Sequence, residues 1–333
     1  MSYALSLLDK SPIDGEEPAA EALARTLALA QRAERWGFRR FWVAEHHNNA
    51  RLASSSPEVL IAYLLAHTSR IRIGSGGVML QHYSAYKVAE NFHLLATLAP
   101  GRVDLGVGKA PGGLPLSTRA LQGAFDPARK PTFAQQLADL SIFLGGEAAE
   151  DAEESLRAYP IPAVPLKRFL LGASVESAEL AAAHGWEFVY AGHLNGDEAQ
   201  LDQVLRTYRD ASGGRVPVLA IGVIAAASDQ AAERLTGDLR RFKVEVKGGQ
   251  SVTVGSLAQA EEYVRQAGVT DYRIEEKMPG VFRGTASGIH AELDRLHRRY
   301  GVAEFILDCP VTDKVARLAS IELLAAAHLS VAA

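Results

Sequence analysis

The sequence predicts a (β/α)8 barrel, and three observations carry that expectation. Eight short runs rich in Val, Ile, Leu and aromatic residues recur along the 333 residues, each followed by a longer stretch with helical spacing. Most of these runs are continuously apolar rather than alternating, as in parallel strands covered by helices. A doubly wound open sheet would share both features, but eight strands and a length above ~250 residues favour the barrel. No repeat of fixed period appears and no linker divides the chain, so one domain is expected over 1–333.

Taken in order, YALSLLD (3–9) reads as the first strand, and the Ala/Leu/Arg-rich helix over 17–38 stops at Gly37. RRFWVAEHH (39–47) is the second strand. The helix over 56–69 opens with Ser56 as N-cap and Pro57 at its first position. RIRIGSGGVML (70–80) is β-branched with a glycine interruption. An amphipathic helix follows and ends at Pro100-Gly101. RVDLGVGKA (102–110) is the fourth strand, and the Pro- and Gly-rich segment 111–131 reads as a long loop before the helix over 132–146. An acidic stretch, EAAEDAEESL (147–156), reads as solvated surface. RFLLGAS (168–174), WEFVYAG (186–192) and VPVLAIGVIAAA (216–227) are further strands, with helices over 174–185, 197–211 and 228–242. The pattern is less regular from about 243 to 285, which reads as an insertion with one or two helices. A helix over 288–301, an eighth strand over 302–310 and a closing helix over 312–327 complete the chain.

Composition narrows the class of protein. With 48% hydrophobic and 22% charged residues the chain can bury a large core. A net charge of −4 without a basic stripe argues against nucleic acid or an anionic membrane surface as partner. No apolar run reaches ~18 residues, and the N-terminus lacks the basic and apolar regions of a signal peptide. Cys309 is the only cysteine, so one chain offers neither a disulfide nor a thiolate metal site, and the histidine spacing suggests no metal either. A cytoplasmic protein is expected.

In such a barrel the chemistry sits at the C-terminal ends of the strands. The sequence places Asp9 there on strand one, Glu45, His46, His47 and Asn48 on strand two, and Gly74 to Gly77 on strand three. Strand four offers Gly106, Gly108 and Lys109, strand five Ser174, and strand six His193 and Asn195. Glycines at two strand ends suit a flat ligand pressed against backbone. Strand alternation puts Trp42, Ala44 and His46 on one side and Val43, Glu45 and His47 on the other. An imidazole in water titrates near neutral pH and suits proton transfer, which makes His46 a candidate; a satisfied core histidine is the plainer alternative. His47 and Glu45 read as structural partners in the barrel wall. Ser174 and Ser177, at the turn into a helix, make either an anion site or a simple cap. There is no G-x-G-x-x-G fingerprint with a distant acid, which argues against a dinucleotide fold.

The segments WVAEHHN (42–48), SSPEVLIAYLLAHTSRIRIGSGGVMLQHYSAYKVAENF (55–92), LAPGRVDLGVGKAPGG (98–113) and LLGASVESAELAAAHG (170–185) together resemble the bacterial luciferase-like flavin monooxygenases. The single-chain branch that includes alkyl-cysteine sulfur monooxygenase-like proteins is the most similar. The resemblance implies reduced FMN, supplied by a separate flavin reductase, and O2, with a flavin hydroperoxide passing one oxygen to a small organic substrate. It implies His46 as the active-site base and a non-proline cis peptide at Gly76-Gly77 against the flavin ring. It implies Lys109 as a phosphate contact where the luciferases have an arginine, a change that keeps the charge but loses the bidentate fork. Gly108 replaces a reactive cysteine and leaves room beside the ring. Ser174 and Ser177 would hold the phosphate, with Arg129 as a second cationic contact. Met79, Tyr83 and His193 would line the substrate pocket, and Gln81 and Ala85 replace prolines near its entrance. A homodimer is implied. The alternatives left open are an F420-dependent oxidoreductase of the same superfamily and a non-catalytic flavin-binding protein.

Overall fold

A computed structural model of the protein describes residues 3–126, 129–145, 156–194, 196–247 and 251–332. The elements run β1 (Ala4–Asp9), α1 (Ala19–Arg35), β2 (Arg40–Val43), α2 (Pro57–Ala66), β3 (Arg72–Ser75), β4 (Val78–Met79), α3 (Ala85–Leu98) and β5 (Val103–Gly108). They continue with α4 (Pro115–Leu121), α5 (Phe133–Gly145), β6 (Lys167–Gly172), α6 (Val175–Ala183), β7 (Glu187–Ala191), α7 (Glu198–Ala211), β8 (Val218–Ala225) and α8 (Asp229–Leu235). The last third holds β9 (Arg241–Val246), β10 (Val252–Val254), α9 (Leu257–Ala267), β11 (Tyr272–Lys277), β12 (Val281–Gly284), α10 (Ala286–Tyr300), β13 (Glu304–Asp308) and α11 (Lys314–Ala332).

Eight parallel strands close on themselves in the order β1-β2-β3-β5-β6-β7-β8-β13, with β13 returning to β1. All eight expected strands are present. The closure follows from their burial on both faces: β8 is buried at every position, and so is β5. Alternate side chains separate into two sets. Leu8, Trp42, Ala44, Phe169, Val189, Val218, Ala220 and Ile306 fill the interior, while Leu7, Phe41, Val43, Leu105 and Phe305 pack against the helices outside.

The lower interior is ionic. Arg40 donates to Glu304 (2.5 Å) and to Asp104 (2.8 Å), Arg72 donates to Asp104 (2.6 Å), and the Ser6 hydroxyl donates to Glu304 (2.5 Å). The Trp42 indole N–H, 3.1 Å from Asp104, completes the set. Each buried charge has an opposite charge and further hydrogen bonds, which is what allows charges in a barrel core. This ionic layer fills the barrel interior at its lower end.

Some elements differ from the sequence pattern. The expected helix over 228–242 stops at Leu235, and β9 starts at Arg241. RFKVEV buries Phe242 and Val244 on one face and leaves charged neighbours on the other, a period of two rather than 3.6. β10, β9 and β11 form a three-stranded antiparallel sheet in that order, covered by α9 through Ala260. β12 then returns to the barrel and pairs with the upper half of β8, Val281 opposite Gly222. The loop over 111–131 carries α4, whose Leu116 N–H and Arg119 guanidinium both bond to Gln266 of α9. Ser56 and Pro57 do open α2, but the Ser56 hydroxyl accepts no cap bond. Of the acidic stretch, 147–155 lie outside the described residues. Among the described residues no helix is long and apolar enough to cross a membrane.

Candidate active site

The upper ends of the strands converge as the barrel rule requires. At the end of β2 the parity holds. Glu45 is fully buried on the outer side, where its carboxylate accepts the Tyr83 hydroxyl (2.7 Å) and the Met79 N–H (3.0 Å) and lies 2.7 Å from His47 Nε2. Glu45 and His47 thus brace the wall as expected. Tyr83 and Met79, expected in the substrate pocket, are both tied to that brace, Tyr83 by its hydroxyl and Met79 by its backbone. Burial, then Glu45, pushes the Tyr83 hydroxyl far above its usual range. His46 lies on the inner parity. Its N–H donates to Ser54 O (2.9 Å), while its ring Nδ1 is buried with no partner.

The Gly76-Gly77 peptide is cis, as the resemblance implied. A Cβ on Gly77 would sit 2.9 Å from the Gly106 carbonyl oxygen, so only glycine fits against β5 there. Gly108 behaves in the opposite way. It is buried, yet a Cβ built on it meets nothing within 4 Å. Its inner side therefore faces an open space within the mouth, the cradle a planar ring would fill.

Beyond Gly108, the exposed Lys109 ammonium reaches Glu176 Oε1 at 3.5 Å. Glu176 belongs to the first turn of α6, whose N-cap is Ser174. The Ser174 hydroxyl accepts the Ser177 N–H (3.2 Å), and the two hydroxyls are 3.0 Å apart. The structure thus brings Lys109, Ser174 and Ser177 together. Arg129 stands exposed on the loop before α5, its N–H on Asp126 O, and joins none of their bonds. His193 lies in a short 3-10 turn after β7, and its Nδ1, like that of His46, is buried without a partner. Asn195 lies outside the described residues.

Two residues escaped the sequence reading. Lys10 follows β1 and its ammonium meets Asp308, the last residue of β13, at 2.6 Å. Asp9, taken from the sequence as the contribution of strand one, points outward to Thr26 (2.6 Å) and Arg317 (2.8 Å). Alternation was the available signal: from Ser6 and Leu8 inside, Lys10 is the next inward residue, and Glu304 and Ile306 lead likewise to Asp308.

Electrostatics join these groups. Burial, reinforced by Lys10 and partly offset by Asp308, lowers the His46 imidazole to about 4. Burial lowers His193 to about 4 as well, with Asp308 opposing and Lys10 and Arg241 assisting. Burial resists ionisation of Asp308, but Lys10, His193 and Arg317 outweigh it and hold its carboxyl below the usual range. At neutral pH the mouth holds two uncharged imidazoles beside one fixed ion pair. Among the described residues no group of three or more His, Cys, Asp or Glu is placed to hold a metal ion.

Comparison with known proteins gives the chain a family and a fold neighbourhood. A family described as luciferase-like monooxygenase matches residues 1–295. The N-acetyl-S-alkylcysteine monooxygenase of Bacillus subtilis is 45% identical over 98% of both chains. The crystal structure of apo-MsnO8 superposes with a TM-score of 0.77 at 30% identity, covering 98% of each chain. Two structures at 18% identity share the fold. One is the oxygenating constituent of 3,6-diketocamphane monooxygenase of Pseudomonas putida in complex with FMN, covering 98% and 97% of the two chains (TM-score 0.66). The other is an F420-dependent secondary alcohol dehydrogenase with an F420-acetone adduct, covering 97% and 99% (TM-score 0.62).

Proposed function

The chain belongs to the luciferase-like monooxygenase family, and on that premise we propose that it uses reduced FMN and O2 to oxygenate the sulfur of a small thioether. The observation that carries this reading is the open space beside Gly108, flanked by the cis Gly76-Gly77 turn and sharing its mouth with two buried imidazole nitrogens that bond to nothing in the protein. Buried polar atoms are normally satisfied, so unpaired ones in a cleft favour a ligand that pairs with them. The thioether class comes from the relative's name, N-acetyl-S-alkylcysteine monooxygenase.

When bound, reduced flavin supplies the electrons that activate O2, placing one oxygen on the substrate and releasing the other as water. The residues of the chain do the rest. Lys109, Ser174 and Ser177 hold the phosphate. Gly108 and the Gly76-Gly77 turn make room for the ring. His46, neutral at pH 7, offers Nδ1 as a proton acceptor, and its depressed basicity keeps it unprotonated before substrate arrives. Lys10 and Asp308 fix a charge pair beside it, and the closed barrel excludes water. The family resemblance supports a separate reductase as flavin source, a cytoplasmic setting and a homodimer. Exposed Val59 and Tyr63 on α2 and Leu94 and Leu98 on α3 supply an apolar face for pairing. F420 is the second cofactor reading, because its phosphate would use the same lysine and serines.

The test supplies reduced FMN or reduced F420 with a panel of thioethers, aldehydes and amines. A mass gain of one oxygen on thioethers with FMN is the expected result. In His46→Ala, product formation should fall by about 10²-fold or more while FMN still binds. Wild-type turnover by that variant would remove His46 from the mechanism.

A further inference from the structure

We propose that Glu176 is the residue that limits how tightly this protein holds a phosphorylated flavin, and so sets its preference between FMN and riboflavin. The inference rests on the reading above, that the FMN phosphate docks where Lys109 meets the start of α6. Two features of that place attract an anion: the Lys109 ammonium, just after β5, and the first-turn N–H groups of a nine-residue helix that the Ser174 cap leaves over. Glu176 already pairs with the first and sits on the same turn as the second. It is the second residue of α6, between the Ser174 cap and Ser177, and its carboxylate oxygen lies 3.5 Å from the lysine nitrogen. The side chains of both residues are exposed, so the pair is loose and can open.

A phosphate arriving there must detach Lys109 from Glu176 and then sit beside a like charge on the same helix turn. A lysine can swing from one anion to the other, because it is a point charge on a flexible stem without a fork to align. The Glu176 side chain can rotate, but its backbone on the first turn of α6 keeps the carboxylate close to the site. Riboflavin carries the same ring and ribityl chain without the phosphate and meets neither penalty. Near a protein surface, one extra negative charge within about 6 Å of a phosphate costs about tenfold in affinity. Glu176 therefore makes FMN a readily exchanged cosubstrate, suited to a site refilled with reduced flavin at each turnover.

The experiment titrates the full-length protein with oxidised FMN and, separately, riboflavin, following the quenching of flavin fluorescence, with thermal melts to verify folding. Glu176→Gln should bind FMN about tenfold more tightly and riboflavin unchanged. Lys109→Ala should loosen FMN and again leave riboflavin unchanged. Looser FMN binding by Glu176→Gln, or an unmoved ratio of the two affinities, overturns the proposal. If both flavins bind the wild-type chain but neither substitution moves their ratio, Glu176 loses its role and the flavin reading stands. If neither flavin binds in oxidised form or, under anaerobic conditions, in reduced form, both fall together.

Discussion

Gly77 and Gly108 respond in opposite ways to one added methyl group. On Gly77 the methyl carbon would lie 2.9 Å from the Gly106 carbonyl oxygen, a backbone atom that cannot move without shifting β5. Gly77→Ala should cost about 1–3 kcal/mol, read as a lower melting temperature. On Gly108 the same methyl meets nothing within 4 Å. Gly108→Ala should melt within about 0.5 kcal/mol of the wild type. It should still bind flavin more weakly, because the methyl enters the space assigned to the ring. Undiminished flavin affinity in a normally folded Gly108→Ala would place the ring elsewhere. The adjacent histidines show the same division. His47 is bonded to Glu45 and belongs to the wall, whereas His46 keeps its Nδ1 free in the mouth.

Among the elements, the sheet over 241–277 is the least secured. Its core is Phe242, Val244 and Ala260 with partly buried neighbours, against the large core around the barrel. Val244→Asp buries an unpaired carboxylate in that small cluster. Hydrogen exchange should then accelerate across 241–277 and through α4, which is tied to α9 at Gln266, while the barrel strands keep their protection. Loss of protection in β1 or β13 would show that the insertion supports the barrel. This sheet was also the least legible part of the sequence. The barrel strands announce themselves as apolar runs because both their faces are covered. β9 and β11 alternate with Arg, Lys and Glu on a wet face, and β9 directly follows a helical pattern that hides its start. At the site, the reading was led by motifs to His46, to the Gly76-Gly77 peptide, which is cis, and to the serines of α6. It missed Lys10 and Asp308, which have no motif and are defined only by strand parity and by the closure of the barrel.

For the whole molecule, the buried histidines set the response to acid. His46 and His193 are lowered to about 4, and burial also lowers His290 and His328, which stack near Tyr3 at 5.6 Å between ring centres. Each titrates near 6.5 in the unfolded chain. For His46 and His193, between about 6.5 and 4 the unfolded state therefore binds protons that the folded state refuses, and stability falls as pH falls. Above about pH 7 these groups contribute no pH dependence. The slope should approach about 1.4 kcal/mol per pH unit for each histidine concerned. Urea midpoints at pH 7.5, 6.5 and 5.5 measure it, and a His193→Asn variant should show a shallower decline. A midpoint constant over that range would mean that the imidazoles are not held neutral by burial.

The Lys10–Asp308 pair has a consequence in time as well as in space. Its partners are 298 positions apart, and they stand at the upper ends of the first and last strands of the barrel. The strands between emerge from the ribosome in order and can pair as they come, but β1 has no neighbour on one side until β13 is made. A nascent chain thus carries His46 for most of its synthesis, and His193 for a shorter stretch, without the carboxylate that faces them. The charge balance of the mouth is completed only when the ring closes, so any fragment lacking β13 leaves Lys10 without its partner.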